Sequence, residues 1–355
     1  MTGHGGVGEM LDSMGSRRAT IRDVAALAAV SHQTVSRVIN GQTSVADDTR
    51  RRVLDAIEQL GYVPSPMARG LISNRTHTLG MVTADVSDGF FARAVAGAEL
   101  EARRRNYYLI VGSVEETPDD GEGTGYLRLM LDRRVEGLIL ARPGVVFEGE
   151  HLQGAANAGI PLVSIGSTAL DGFMSVDVDN RRGGFDATTH LLALGHRSIA
   201  TIVGPRDWPS ADARLAGYRD ALRDAGIADA PKLVEHGTDW GLESGRVATD
   251  RLLASGIPFT AIFAQSDLIA LGAIRRLRLE GLSVPDDVSV VGYDDVPIAA
   301  YVDPPLTTVH QPMREVGEFA AGLILERIAG GEPNPGPHLL PALLVVRQST
   351  APPPA

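Results

Sequence analysis

The chain has 355 residues, a formal net charge of −11 and no cysteine. This length is sufficient for two or three domains with large cores, and the lack of cysteine excludes disulfide bonds and thiolate chemistry. No apolar run approaches the roughly 18 residues of a membrane span, so no membrane partner is expected.

The first segment, residues 1–18, has glycine and acidic side chains where a signal peptide would have a charged end followed by an apolar core. We predict a disordered leader for these residues. Since the segment does not resemble an export signal, we expect the protein to act in the cytoplasm.

The next segment, Thr20 to Asn40, predicts two short helices joined by a tight turn. Thr20 is a plausible N-cap with Asp23 three residues later, and Ala29 and Val30 interrupt the apolar stripe that follows. Hydrogen-bonding side chains remain on the outer face of the second helix: Ser31, His32, Gln33, Thr34, Ser36, Arg37 and Asn40. Base edges and phosphates require this chemistry. A helix pair with a merely solvated polar face is the alternative.

A third helix is predicted over Asp47 to Leu60, which completes a helix-turn-helix DNA-binding domain over residues 19–63. Nine arginines against five acidic residues between Ser16 and Arg75 give this part a net charge of +4, so the rest of the chain carries −15. A basic module on an acidic body indicates that only the first part meets a polyanion. Residues 64–76 hold two prolines and a glycine, and we predict a hinge there, with a plain linker as the alternative.

From residue 77 to 350 short apolar strands alternate with helices of about 10–15 residues, which predicts doubly wound parallel sheets and an α/β fold. The strands are too many for one compact sheet, so two lobes are expected. Residues 351–355 are assigned to a tail.

The order and spacing of these features resemble the LacI family of bacterial transcription regulators from Thr20 to Gln348. The resemblance rests on the run from Thr20 to Ser73 and on LALGHRSIATIVGP, ARLAGYRDAL, SDLIALGAIRRL and DVSVVGYDD. It implies a three-helix head with a hinge helix and a two-lobed, periplasmic-binding-protein-like body. The expected function is a repressor that binds a near-palindromic operator as a homodimer and is switched by a small effector. A leucine-heptad tail that joins dimers in some members is not expected here.

The resemblance places His32 and Gln33 at base edges, with Arg37 nearby. Gln33 can bind adenine bidentately and Arg37 can bind guanine. The phosphate contacts implied are Ser31, Thr34, Ser36, Asn40 and Thr49, helped by Thr20 and Ser44. For Ser31 and Thr49, helix capping is an equal alternative.

In the hinge, the family places a leucine in the minor groove, and Leu71 has that position here, after Ala68 and Arg69. Insertion of an apolar side chain unstacks a base step and kinks the duplex. Gly70 departs from the strong helix former expected beside it.

The body is expected to bind a small polar effector, a sugar above all, in the cleft between its lobes. Gly166 and Ser266 replace an acidic residue and an asparagine common in the family, which leaves a modified sugar, a smaller ligand or a non-sugar open. Four alternatives are a strand-end turn for Asp294, a surface salt bridge for Arg214, and core packing for Trp240 and Phe91. Polar or aromatic residues follow several of the predicted strands or the loops after them, where the cleft would place a ligand, and the family uses these positions. The expected effector contacts are Asp88, Phe90, Phe91, Arg214, Trp240, Ser266, Asp294 and Gln311.

Two other classes compete with a regulator. A transport solute-binding protein shares the two-lobed body but has no use for the head. An enzyme is disfavoured because the sequence has no metal-ligand cluster, no nucleophile elbow and no phosphate-binding loop. We therefore expect no catalytic residue, no metal and no cofactor. Whether the effector induces or co-represses is left open by the residues, and the resemblance favours induction.

Overall fold

A computed structural model describes most of the chain and divides it into two compact units, Met1–Thr76 and His77–Ala355. No helix among the described residues is long and apolar enough to cross a membrane. The described residues are 19–39, 44–62, 75–84, 86, 89–114, 121–141, 154–155, 157–166, 173–206, 208–228 and 230–354.

The described residues of the first unit form three helices: α1 (Ile21–Leu27), α2 (His32–Ile39) and α3 (Asp47–Gln59). The predicted capping box begins α1, since the backbone N of Thr20 donates to Asp23 Oδ2 at 2.7 Å and the backbone N of Asp23 donates to Thr20 Oγ1 at 3.4 Å. The turn to α2 passes through Ala29, whose φ is +51°. All three predicted helices are confirmed.

A small apolar core holds these helices together. Because the apolar residues of α1 and α2 recur every three or four positions, their inward faces meet α3 and leave the polar face of α2 outside. The buried members are Val24, Ala25, Ala28, Val35, Val38, Val53, Ala56 and Tyr62.

Among the described residues, the second unit has two parallel sheets and one two-stranded antiparallel sheet, and we call the larger parallel sheet with its helices lobe 1. Its six strands are all parallel in the order β11-β5-β4-β3-β1-β2. Successive residues of β3 join different clusters: Ile139 packs with α4 and α10, while Leu138 and Leu140 pack with α5. Both faces are therefore covered, as a parallel sheet requires. The elements are β1 (Thr78–Ala84), α4 (Phe90–Arg104), β2 (Tyr108–Val114), α5 (Gly121–Asp132), β3 (Gly137–Ala141), β4 (Leu162–Ile165), β5 (Met174–Val178), α10 (Met313–Ile328) and β11 (Pro337–Leu340).

Lobe 2 is a four-stranded parallel sheet in the order β7-β6-β8-β9 with two helices packed on each face. Two 3₁₀ turns, Pro231–Leu233 and Pro297–Ala300, lie beside it. Its elements are α6 (Asn180–Ala193), β6 (Ile199–Val203), α7 (Pro209–Asp224), β7 (Val234–His236), α8 (Leu242–Ala254), β8 (Ala261–Ala264), α9 (Asp267–Leu279) and β9 (Ser289–Val291).

The chain crosses between the lobes three times. It passes from β5 into α6, from β10 (Thr308–His310) into α10, and from β11 into β12 (Leu343–Val345). Strands β10 and β12 pair antiparallel, so the second and third crossings are hydrogen-bonded to each other. These crossings form the hinge region of the body.

Three helix pairs are packed so closely that they need glycine on both partners. A Cβ atom at any of the six positions would lie 1.9–2.3 Å from a backbone carbonyl oxygen of the facing helix, closer than any real contact. The pairs are Gly97 with Gly317 in α4 and α10, Gly184 with Gly217 in α6 and α7, and Gly245 with Gly272 in α8 and α9.

The predicted alternation of strands and helices is confirmed, with shifts of a few residues at the ends. Among the described α-helices and strands, five were not predicted: β5, β10, α10, β11 and β12. The helix predicted near residues 151–158 lies half outside the described residues. The proposed tail is partly attached to lobe 2, since the backbone N of Ala351 donates to Ser289 Oγ at 3.0 Å.

Candidate functional site

A cavity of the body lies between the lobes, at the carboxyl ends of strands from both sheets. It encloses about 840 Å³ of space that opens to solvent. Ile165 ends β4, Trp240 follows β7 and Asp294 follows β9, and all three line it. This is the usual location of a ligand site in open α/β sheets.

Arg214 of α7 contributes a buried positive charge to the lining of this cavity, with only 4% of its surface exposed. Its Nε donates to Asn180 Oδ1 at 2.8 Å, and its Nη1 donates to the backbone oxygen of Gln265 at 2.6 Å. The guanidinium carbon lies 3.8 Å from the centre of the Tyr293 ring. The side chain is thus fixed in place before any ligand arrives, and the alternative of a surface salt bridge is wrong.

Asp294 and Gln311 lie on the same side of the cavity. Gln311 Nε2 donates to Asp294 Oδ1 at 2.6 Å, and the same oxygen is 3.9 Å from Arg214 Nη1. Asp294 has a φ of +116°, a conformation rare for a residue with a side chain. It is therefore both a strand-end turn residue and a wall of the cavity.

Two tryptophans form an aromatic wall beside Arg214. The Trp240 ring packs on Gly204, where a Cβ atom would lie 2.2 Å from it, and the Arg214 guanidinium carbon is 5.2 Å from its centre. Trp208 meets Trp240 edge to face, with ring centres 5.5 Å apart at 79°. Phe90 and Phe91 face the cavity from lobe 1; Phe91 is 6% exposed and also belongs to the core.

Ser266 takes a different role from the one predicted. Its Oγ accepts a hydrogen bond from the backbone N of Ile269 at 3.1 Å and donates to the backbone oxygen of Trp240 at 2.9 Å. It caps α9 and is absent from the described residues that line the cavity. Ser266 therefore supports the Trp240 wall from behind.

Among the polar and aromatic residues that line the cavity, sequence reasoning missed four: Asp177, Asn180, Trp208 and Ser210. Asp177 belongs to β5, a strand that was not predicted. Trp208 follows β6, so the reasoning from strand ends that selected Trp240 after β7 would have selected Trp208 too. Asn180 starts α6, and its amide Nδ2 donates to the backbone oxygen of Val178 at 3.1 Å.

A second carboxyl group lies buried behind Asp294. Burial raises the pKa of Asp267 to about 8, and the charge of Asp294 adds to the rise. Hydrogen bonds from Thr308 Oγ1 and from the backbone N of Val296 oppose it. Ionising both Asp267 and Asp294 in a region shielded from water is unfavourable, so their mutual repulsion destabilises the folded protein when both are charged.

In the first unit, α2 presents the predicted polar face. His32, Gln33 and Arg37 are exposed, and Thr34 and Ser36 are half-buried. Ser31 caps the helix, its Oγ accepting from the backbone N of Thr34 at 3.1 Å.

Thr49 does not cap α3, because the N-cap there is Ala46 and makes no side-chain hydrogen bond. The capping alternative for Thr49 is therefore wrong. Ser44 is exposed just before α3. The predicted contacts Asn40, Ala68, Leu71 and Asp88 lie outside the described residues.

Comparison with known protein families gives two matches. The model for bacterial regulatory proteins of the lacI family matches residues 20–65, and that for a periplasmic binding protein-like domain matches residues 188–350. The transcriptional repressor CytR of Escherichia coli K12 is 34% identical over 333 residues, covering 94% of this chain and 96% of the relative. The regulator CelR of Thermobifida fusca is 38% identical over 342 residues, covering 94% and 98%.

Solved structures give the same result. A lac repressor dimer bound to operator and the anti-inducer ONPF matches with a TM-score of 0.85 at 32% identity, covering 94% of this chain and all of that one. A CelR–cellobiose complex matches with a TM-score of 0.70 at 36% identity and the same coverage. The matches confirm the resemblance, the α/β fold with its head and periplasmic-binding-protein-like body, and the expectation of a transcription regulator in place of an enzyme.

Proposed function

Because the chain belongs to the LacI family of bacterial regulatory proteins, it is a DNA-binding transcription regulator, and we propose that it is a repressor released from its operator by a sugar or sugar derivative. In this proposal the protein acts in the cytoplasm as a homodimer. Two heads read the two halves of a near-palindromic site, as dimeric helix-turn-helix proteins do.

The observation that carries the sugar proposal is that the cavity combines fixed charged side chains, Arg214 and Asp294, with an aromatic wall. Arg214 and Asp294 lie 3.9 Å apart and offer bidentate donors and acceptors, which suit vicinal hydroxyls. Trp240 and Trp208 offer an apolar face on which a sugar ring can stack. Asn180 and Gln311 add neutral amide groups to the same cavity.

Release from DNA follows from linkage. An effector that binds the closed body more tightly than the DNA-competent body must weaken operator binding by the same factor. The family resemblance supports this sign, and the reverse sign would make the ligand a co-repressor.

The test begins with selection of genomic fragments on the purified full-length protein, followed by fluorescence anisotropy on the selected duplex. Monosaccharides, disaccharides and nucleosides are then added separately. We expect one sugar to weaken operator binding by roughly 5–150-fold. A response to nucleosides alone would overturn the sugar assignment, and failure to enrich any fragment would overturn operator binding itself.

Gln33→Ala tests the reading face of α2. We expect the base preference at one operator position to relax by about 1–3 kcal/mol, because a bidentate contact to adenine is lost. Gln59→Ala, at the end of α3, is the control and should leave base preference unchanged. Equal weakening on all sequences would assign Gln33 to the phosphates.

A further inference from the structure

Asp294 and Asp295 form a two-residue turn after β9 in which both backbones are left-handed. Their φ values are +116° and +52°, and neither residue is glycine. Such conformations cost free energy and persist only where the surroundings hold them in place. The turn is held because the backbone N of Asp294 donates to the oxygen of Val309 in β10 at 2.8 Å.

The two carboxylates of this turn serve different parts of the body. Asp294 lines the cavity, whereas Asp295 is absent from the described residues that line it. Asp295 Oδ1 pairs with Arg347 Nη2 at 2.6 Å, and Asp295 Oδ2 lies 3.1 Å from His310 Nδ1. The side chains of Asp295 and Arg347 are 20% and 19% exposed, so this ion pair is largely shielded from water.

Both partners of Asp295 belong to the crossings between the lobes. His310 ends β10, just before the second crossing, and Arg347 follows β12, just after the third. Arg347 is fixed further, since its Nη1 donates to the backbone oxygen of Leu306 at 2.8 Å and its backbone N donates to Thr307 Oγ1 at 2.9 Å.

A contact from lobe 1 completes the junction. Arg93 of α4 donates from Nη2 to the backbone oxygen of Asp295 at 3.4 Å. Arg93 lies one turn along the helix that begins at Phe90, a residue of the opposite wall of the cavity. The turn therefore contacts the cavity, two crossings and lobe 1 at once.

We propose that Asp295 is the positioning residue that couples the effector cavity to the crossings, so that a shift of Asp294 on effector binding changes the relative orientation of the lobes. This inference rests on the proposed function. Asp295 itself does not touch the effector. Its backbone moves with Asp294 because the left-handed turn has little freedom, and its carboxylate carries that movement to His310 and Arg347.

The experiment compares the full-length protein with Asp295→Asn, using the operator fragment and the sugar identified above. Effector affinity is measured by calorimetry without DNA, and operator affinity is measured with and without effector. We expect effector affinity to change by less than about threefold, while the ratio of operator affinities falls about tenfold, within the usual range of coupling factors.

Asp220→Asn is the matched control. Asp220 also joins two basic partners, Arg181 and Arg223, each at 2.6 Å, and its side chain is 16% exposed in lobe 2. Asp220 is absent from the described residues that line the cavity, and it contacts neither of the two crossings that Asp295 joins; its partner Arg181 lies in α6, just after the first crossing. The control should lose similar thermal stability and keep the full effector response.

Arg347→Gln and Arg347→Lys provide a second pair of variants if Asp295→Asn does not fold. We expect Arg347→Gln to lose the coupling and Arg347→Lys to keep most of it, because the lysine retains the charge opposite Asp295. Full coupling in Asp295→Asn or in Arg347→Gln would overturn the inference, and so would a loss of effector binding equal to the loss of coupling. A wild-type protein that responds to no ligand would overturn the proposed function, and the inference with it.

Discussion

The two lobes contribute different chemistry to the cavity between them. Lobe 2 supplies the buried guanidinium of Arg214, the carboxylate of Asp294 and the two tryptophans. Among the described residues, lobe 1 supplies mainly apolar surface, with Phe90, Phe91, Ile165 and Met313 facing the cavity and Asp177 as its one ionisable group. We infer that lobe 2 recognises the ligand and that lobe 1 covers it and excludes water.

The difference also has an energetic side. The polar groups of lobe 2 are fixed by hydrogen bonds to one another before ligand binds, so little ordering is left to be lost on binding. The apolar wall of lobe 1 contributes favourable free energy to binding only when the cavity closes over a ligand and buries apolar surface. Recognition and closure can therefore be altered separately.

Arg214→Ala should have the largest effect on this division. We expect the effector response to disappear, with a loss of about 2–5 kcal/mol in effector binding, because the variant removes the buried charge that we propose contacts the ligand. Operator affinity without effector should change little, since Arg214 lies in the body. Calorimetry and anisotropy measure the two quantities.

Arg219→Ala is the control on the exposed face of the same helix and should leave both quantities unchanged. Equal loss of effector binding and operator binding in Arg214→Ala would contradict the assignment of recognition to lobe 2.

Asp267→Asn tests whether the buried carboxyl group behind Asp294 lowers the stability of the folded protein. The pKa of Asp267 in the folded protein, about 8, is above that in the unfolded chain, so the folded state binds the proton more tightly. Asp267 therefore makes the free energy of unfolding decrease as pH rises from about 4 to 8, by up to about 1.4 kcal/mol per pH unit. The variant should lose this slope in urea unfolding at several pH values.

Asp250→Asn gives the opposite sign as a control. A hydrogen bond from Arg276 lowers the pKa of Asp250, so its stabilisation is present above the unfolded pKa and is lost as pH falls. An unchanged slope between pH 4 and 8 in Asp267→Asn would show that the buried carboxyl titrates normally.

Trp208→Ala should have a smaller effect, a loss of about 1 kcal/mol in effector affinity, if its ring extends the stacking surface of Trp240. Trp208→Phe should recover most of the loss because an aromatic face remains. If alanine binds the effector as tightly as tryptophan, the wall consists of Trp240 alone.

Phe90→Ala should have the smallest effect on affinity, at most about 1 kcal/mol, because the side chain is only half-buried and Phe91 remains beneath it. If lobe 1 closes after lobe 2 has bound the ligand, the loss should lie in faster dissociation. Stopped-flow mixing separates the rates. Slower association with unchanged dissociation would contradict the order of events.

The predictable part of the fold is the part with strong local signals. Strand β3, GLILA, is fully buried and apolar, and α4 has a clear amphipathic period, so both were recognised. Strand β5 carries Ser175 and Asp177 among its apolar residues, and β11 begins with a proline, which obscures both patterns. Helix α10 was predictable as well, because Val316, Ala320 and Ile324 form an apolar stripe at helical spacing.

The candidate site was likewise predictable only where the local sequence signal was strong. Trp240 and Asp294 were predicted to line the cavity because residues that follow parallel strands gather at one edge, and both do line it. Arg214 also lines it, but from within α7, where the family resemblance had pointed. Asp177 was missed because its strand was missed. Ser266 follows β8 but caps α9 and is not among the described residues that line the cavity, because a position after a strand does not determine whether a hydroxyl faces the cavity or caps the next helix.

The glycine contacts of the three helix pairs indicate which positions must be left unchanged when this regulator is engineered to bind a different ligand. A library that randomises these six positions would mostly yield chains whose helices no longer fit, whatever their ligand preference. Positions such as Trp208 and Phe90 stand at the starts of helices, outside those contacts, and can be diversified while the scaffold stays intact.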